Sequence, residues 1–291
     1  MGSLLSGLGE LGLKGLESAD LYKSDTEEKK KEEAKAEAPQ AAAFDERECL
    51  FGKSHTCPVC YKEFKALTAR QSKIRPAGMD NDLRPRFKNF DPMKYDVILC
   101  PHCGYAALGR FFHTITPPQA KLVKEGISKN FHPIPDKEYF TYDEAFLRYQ
   151  LALGNAVVKR GKAGEKAYLC LKMAWILRGK REDIESGKTE VNPNAFETIV
   201  EDLKQDETEL LSNALDGFLN ARQNESFPIC GMDESTLDYI IAVTAMRLEK
   251  YDLVNQMLNV LLVRSRLTPM MKDYCIDMKE ELRKIRKEQE G

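Results

Sequence analysis

Four of the eight cysteines fall into two pairs of one pattern, Cys57-Pro-Val-Cys60 and Cys100-Pro-His-Cys103-Gly-Tyr-Ala. Two cysteines separated by two residues can curl both thiolates toward one metal, with the turn amides pointing at the sulfurs. Two such knuckles supply four ligands at about 2.3 Å in a closed tetrahedron, which leaves no position for a substrate water. The chemistry they predict is a structural zinc site built by Cys57, Cys60, Cys100 and Cys103. The proline after the first cysteine of each pair fixes φ and stiffens the turn. Gly104 follows the second pair and suits a left-handed conformation. Tyr61 stands at the same place in the first, at a cost of about 1 kcal/mol if that conformation is needed. A redox dithiol or disulfide is the alternative, but a thioredoxin-type pair follows a strand and opens a helix within a βαβ unit, a pattern absent here.

The other potential ligands do not compete well. His55 precedes the first knuckle and His102 lies inside the second, yet four cysteines already satisfy the spacing. His113 and His132 fit no two-histidine metal signature. Cys49, Cys170, Cys230 and Cys275 fit no ligand spacing, and Cys170 and Cys275 lie on apolar helix faces as small hydrophobes do. Unpaired thiols beside a zinc-type site suggest a reducing cytoplasm.

The segments that position the knuckles follow from composition. Thirty-nine residues separate Cys60 from Cys100, more than compact zinc signatures allow, so the ribbon carries an insertion. Tyr95–Leu99 reads as a strand leading into the second knuckle. The insertion is basic: Lys62, Lys65, Arg70, Lys73, Arg75, Arg84, Arg86, Lys88 and Lys94 face four acids over Lys62–Lys94. With Phe87 and Phe90 nearby, a nucleic-acid surface is one reading. A solvated loop whose charges pair locally with Asp80, Asp82 and Asp91 is the other. Those aspartates and Asp96 could also chelate a hard metal, though loop aspartates commonly serve as turn formers.

From about residue 138 the apolar period changes to 3.6. Thr141-Tyr-Asp-Glu144 reads as a capping box opening a helix to Lys159. A second helix follows through Ala167, Leu171, Ala174 and Trp175, and residues 179–194 read as a polar connection. Phe196 to Phe218 trace a long amphipathic helix. Helices over 236–249 and 251–266 precede a last one capped by Thr268 with Pro269 in its first turn. Ala167, Leu171 and Ala174, and then Ala242, Tyr251, Val254, Leu258 and Leu261, have the spacing of tetratricopeptide units, which bury their faces by stacking. Ordinary helix packing is the plainer account of the same spacing.

The expected fold is therefore mostly α: a small zinc-ribbon-like β module followed by an α-helical tetratricopeptide-like domain. The expected division is a disordered tail and charged linker over 1–44, the ribbon with its basic insertion over 45–135, and the helical domain over 136–291. Lys and Arg against Asp and Glu give these parts −3, +6 and −5, a polarity that the overall −2 hides. Residues 3–20 place leucines near helical spacing but interrupt them with glycines, so a weakly structured tail competes with a short amphipathic segment for a partner or membrane surface. Met1-Gly2 with Ser6 matches an N-myristoylation pattern, relevant only in a eukaryotic host. No stretch reaches the roughly 20 apolar residues of a membrane span. The N-terminus lacks a basic region followed by an apolar run, and secretion is not expected.

Cys57-Pro-Val-Cys60, Lys73-Ile-Arg75, Asp80, Asp82, Asp91-Pro-Met-Lys-Tyr-Asp96 and Cys100-Pro-His-Cys103-Gly-Tyr-Ala-Ala107 together resemble the bacterial family catalogued as domain of unknown function 2225. The resemblance covers residues 49 to about 270 and is most specific over Tyr95–Ala107. It implies a bacterial cytoplasmic protein joining a paired Cys-Pro-x-Cys module to tetratricopeptide-like helices, and supplies no activity. No serine–histidine–carboxylate set or phosphate-binding glycine loop is visible, so an enzyme is not expected. The expected role is a zinc-binding adaptor whose helices bind a protein partner, with nucleic-acid binding by the basic loop as the alternative.

Overall fold

The computed structural model describes residues 44–263 and 267–290, so the tail before residue 44, with its glycine-interrupted leucines and N-myristoylation match, lies outside it. The described residues from Asp45 onward form one compact unit. Three short antiparallel hairpins come first and a stack of helices follows, as the change in apolar period predicts. Strands β1 (Leu50–Thr56) and β2 (Glu63–Ala69) pair from Leu50↔Ala69 to Thr56↔Glu63. Strands β3 (Pro76–Met79) and β4 (Pro85–Phe87) form a small hairpin inside the insertion. A 3-10 turn at Pro92–Tyr95, capped by Asp91, shortens the strand expected at 95–99 to β5 (Val97–Leu99), which pairs with β6 (Ala106–Leu108).

The β5–β6 hairpin is the wall on which the protein is built. Its side chains alternate as a two-sided strand requires. Val97, Leu99, Ala106 and Leu108 join the large helical core, whereas Ile98 and Ala107 join a smaller core around the four cysteines. One short hairpin thus couples the knuckle region to the helices.

Helix α1 (Pro117–Val123) leads into a π turn at Lys124–Ser128. Helix α2 (Tyr142–Val158) opens on the predicted capping box: the Glu144 amide donates to Thr141 Oγ1 at 3.2 Å, and the Thr141 amide donates to Glu144 Oε2 at 2.9 Å. Helix α3 (Ala163–Glu185) is central, with every residue from Leu169 to Gly179 buried, the charged Lys172 and Arg178 included. It continues well past residue 179, where the polar sequence suggested a connection, because its polar final turns find ionic partners in the insertion. Helix α4 (Phe196–Asn224) packs along α3 so closely that a Cβ on Gly217 would lie 2.8 Å from the Ala167 Cβ. Helices α5 (Glu234–Arg247) and α6 (Tyr251–Leu261) form the next hairpin, with Ala242, Val254, Leu258 and Leu261 all buried. Helix α7 (Pro269–Glu290) closes the stack, with the Met271 amide donating to Thr268 Oγ1 at 3.3 Å.

Candidate metal centre

Each knuckle is the turn of a hairpin, and the two turns are built alike. In the first, the Cys57 amide donates to the Lys62 carbonyl at 3.0 Å and the Tyr61 amide to the Cys57 carbonyl at 2.9 Å. In the second, the Cys100 amide donates to the Tyr105 carbonyl at 2.8 Å and the Gly104 amide to the Cys100 carbonyl at 3.0 Å. The equivalent residues Tyr61 and Gly104 are both left-handed, at φ +62° and +71°. The first turn therefore adopts the glycine conformation with a tyrosine, whose ring stays exposed with Lys124 Nζ 5.4 Å from its centroid.

The four sulfurs meet. Cys57, Cys60, Cys100 and Cys103 place their Sγ atoms within 4.8 Å of one another, with Cys57–Cys103 at 3.6 Å and Cys60–Cys100 at 3.7 Å. A tetrahedron with metal–sulfur bonds of about 2.3 Å has edges of roughly 3.8 Å, so the set matches one ion. These separations are far from the roughly 2.05 Å of a disulfide, and all four cysteines are free. The Val59 amide approaches Cys57 Sγ at 3.4 Å, as a knuckle amide supporting a thiolate should. Hydrogen bonds from Cys100 and Cys103 pull the Cys57 thiol far below its ordinary pKa, while the shared protons push Cys103 up. Four sulfurs so close cannot all be charged without a cation among them.

The surroundings are mostly buried and apolar. Cys57, Cys100 and Cys103 are buried, with Val59, Phe64, Tyr105 and Phe112 packed around them. Tyr105 donates its hydroxyl to the Phe112 carbonyl at 3.0 Å. Asn155 on α2 donates to the Gly104 carbonyl at 2.9 Å, which ties the second knuckle directly to the helices. A Cβ on Gly104 would lie 2.5 Å from the Phe131 ring, so this position has no room for a side chain.

The remaining candidates disperse. His102 is exposed with Nε2 3.3 Å from the Glu63 carbonyl, and His55 stacks on Phe64; neither joins the sulfurs. Asp80, Asp82, Asp91 and Asp96 do not converge on a second metal. Asp91 caps the 3-10 turn through the Met93 amide at 2.9 Å, and Asp96 pairs with Lys172 at 2.6 Å. Asp80 pairs with Arg86 at 2.6 Å, and Asp82 with Arg178 at 2.8 Å.

The basic insertion divides in two. Lys62, Lys65, Arg70, Lys73, Arg75 and Lys88 are exposed, although Arg70 Nε also donates to the Leu50 carbonyl at 3.0 Å. Arg84 and Arg86 are turned inward onto Glu182 of α3; Arg84 is only 3% exposed. Local pairing with Asp80 was legible in the sequence, but Glu182 and Arg178 were missed as partners of this loop. The one available signal was an arginine at 178 directly after an apolar run within a central helix, where an unpaired charge would be costly.

A family model described as an uncharacterized protein conserved in bacteria (DUF2225) matches residues 50–285. No curated protein and no solved structure matches the chain. No helix among the described residues is long and apolar enough to cross a membrane.

Proposed function

Since the chain belongs to this bacterial family, whose description carries no activity, we propose from its geometry that it is a non-catalytic zinc-binding adaptor of the cytoplasm. The observation that carries the zinc assignment is the pair of matched knuckles, which bring four cysteine sulfurs to the edge lengths of a thiolate tetrahedron in a mostly buried site. Bound there, zinc would cross-link the β1–β2 and β5–β6 turns and offer no open coordination position, so its contribution is folding energy rather than catalysis. Free thiols elsewhere in the chain favour a reducing compartment. The adaptor role is supported by the helical stack, which leaves Leu147 and Val157 on α2 and Ile276 on α7 exposed for a protein partner.

Nucleic-acid binding is the second reading, favoured by the six exposed basic residues of the insertion. It loses Arg84 and Arg86, whose charges are already matched by Asp80 and Glu182.

The test has two arms. Metal analysis of the purified chain is expected to give one zinc per molecule, and serine at Cys57, Cys60, Cys100 and Cys103 together to give an unfolded N-terminal region. A metal-free, fully folded quadruple variant with native melting behaviour would overturn the zinc assignment. For the partner, the tagged chain is purified from its native host with and without nuclease. A stoichiometric protein that survives nuclease supports the adaptor. Material that disappears with nuclease, and on neutralising Lys73, Arg75 and Lys88, moves the function to nucleic acid.

A further inference from the structure

Beside the cysteine core lies a cavity of about 650 Å³, within the roughly 300–1,000 Å³ of small-molecule sites. One wall is the segment Lys53–Thr56 of β1, a strand paired only with β2 among the described residues, so its outer edge is open to the cavity. The opposite walls are the turn after β6, carrying Arg110 and His113, and the face of α3 carrying Tyr168 and Lys172.

The polar groups on these walls have spare capacity. His55 is 9% exposed and its Nε2 is buried without a hydrogen-bond partner, an arrangement that folded proteins rarely leave unanswered. His113 stacks beside it with ring centroids 6.1 Å apart. Arg110 uses Nη1 on the Cys230 carbonyl at 2.6 Å and lies 5.8 Å from the Tyr168 ring centroid. Its other guanidinium nitrogens make no hydrogen bond to the described residues. Lys172 sits 2.6 Å from Asp96, the one acid in the cavity wall, whose charge it already balances. Against that neutral pair stand the two cations Arg110 and Lys53.

We propose that this cavity binds a small organic phosphate, an inference that goes beyond the adaptor reading and does not rest on it. An anion answers the excess of donors. A phosphate head presents three terminal oxygens spread over a tetrahedron, which suits donors arriving from separate elements better than the two coplanar oxygens of a carboxylate. The volume exceeds what a bare phosphate needs, and Tyr168, Ile98 and Leu108 supply an apolar surface for the organic part.

The experiment is calorimetric titration of the full-length protein with phenyl phosphate, benzoate and inorganic phosphate. These probes separate the ring from the head group. Phenyl phosphate is expected to bind saturably and more tightly than either of the others. Arg110→Gln, at an exposed position that leaves the core intact, is expected to weaken it about tenfold or more, the worth of a charged hydrogen bond. Lys188→Gln, remote from this cavity, is expected to change nothing, and thermal melting confirms that both variants are folded. No binding at millimolar phenyl phosphate, benzoate binding as tightly, or an Arg110→Gln variant that binds like the parent would each overturn the assignment.

Discussion

Asp82 at the tip of the β3–β4 hairpin and Arg178 in the middle of α3 form an ion pair at 2.8 Å, with 1% and 4% of their side chains exposed. Around it, Trp175 Nε1 donates to Asp82 Oδ2 at 3.1 Å, Tyr239 donates its hydroxyl to the Asn81 carbonyl at 2.6 Å, and Arg178 Nε donates to Glu207 at 2.7 Å. A loop inserted between two zinc-type knuckles is thereby plugged into three helices. Replacing Arg178 with Met would remove the nearest cation from two buried carboxylates, leaving Asp82 to Trp175 and Arg247 and Glu207 to Arg181 and Arg247. The expected loss is about 3–5 kcal/mol, read as a lowered urea midpoint. A loss within experimental error would show that the network contributes little to stability.

The same cluster makes a pH prediction. Burial works against the Asp82 carboxylate, but Arg178, Arg247 and Trp175 outweigh it and hold its pKa below the usual range. Glu182 is held down in the same way by Arg86 and Arg84 against its own desolvation. A carboxylate with a depressed folded pKa adds stability above its unfolded pKa, about 4, and loses it as pH falls through the folded value. Stability is therefore expected to fall below about pH 4, and Asp82→Asn to flatten that slope. Asp91 acts in the opposite sense, since burial raises its pKa. Denaturation midpoints of parent and variant between neutral and acid pH decide the matter; parallel curves would remove Asp82 from the effect.

Tyr61 and Gly104 hold equivalent left-handed positions, and only one is a glycine. Tyr61→Gly is expected to stabilise the first knuckle by about 1 kcal/mol, less the added freedom of glycine in the unfolded chain. Gly104→Ala should act the other way and more strongly, because its Cβ must displace the Phe131 ring as well as accept a positive φ. Melting temperatures of the two variants should move in opposite directions.

Thr141 accepts from the Glu144 amide at the start of α2. Thr141→Ala removes that cap, and the expected cost is about 1 kcal/mol by chemical denaturation. An unchanged midpoint would mean that packing of α2 against β5–β6 alone holds its first turn.

Local patterns were readable because they are satisfied locally. The cysteine spacing is set by the geometry of a single turn, the capping box by four consecutive residues, and the helix faces by a period of 3.6. The helix boundary near residue 179 was not readable. Polar residues there resemble a connection, yet Glu182 is helical and pairs with Arg84 and Arg86 nearly a hundred positions away.

What the sequence alone determined is the set of four converging cysteines, the order of β hairpins before helices, and the positions of most helices. Each follows from contacts within a few residues. Only the tertiary structure decided which charges of the basic insertion reach solvent, since that depends on which helix passes beneath the loop. The cavity at His55, Arg110 and Lys172 is of the same kind. Its walls come from a strand edge, a turn and a helix with no spacing in common, and packing alone brings them together.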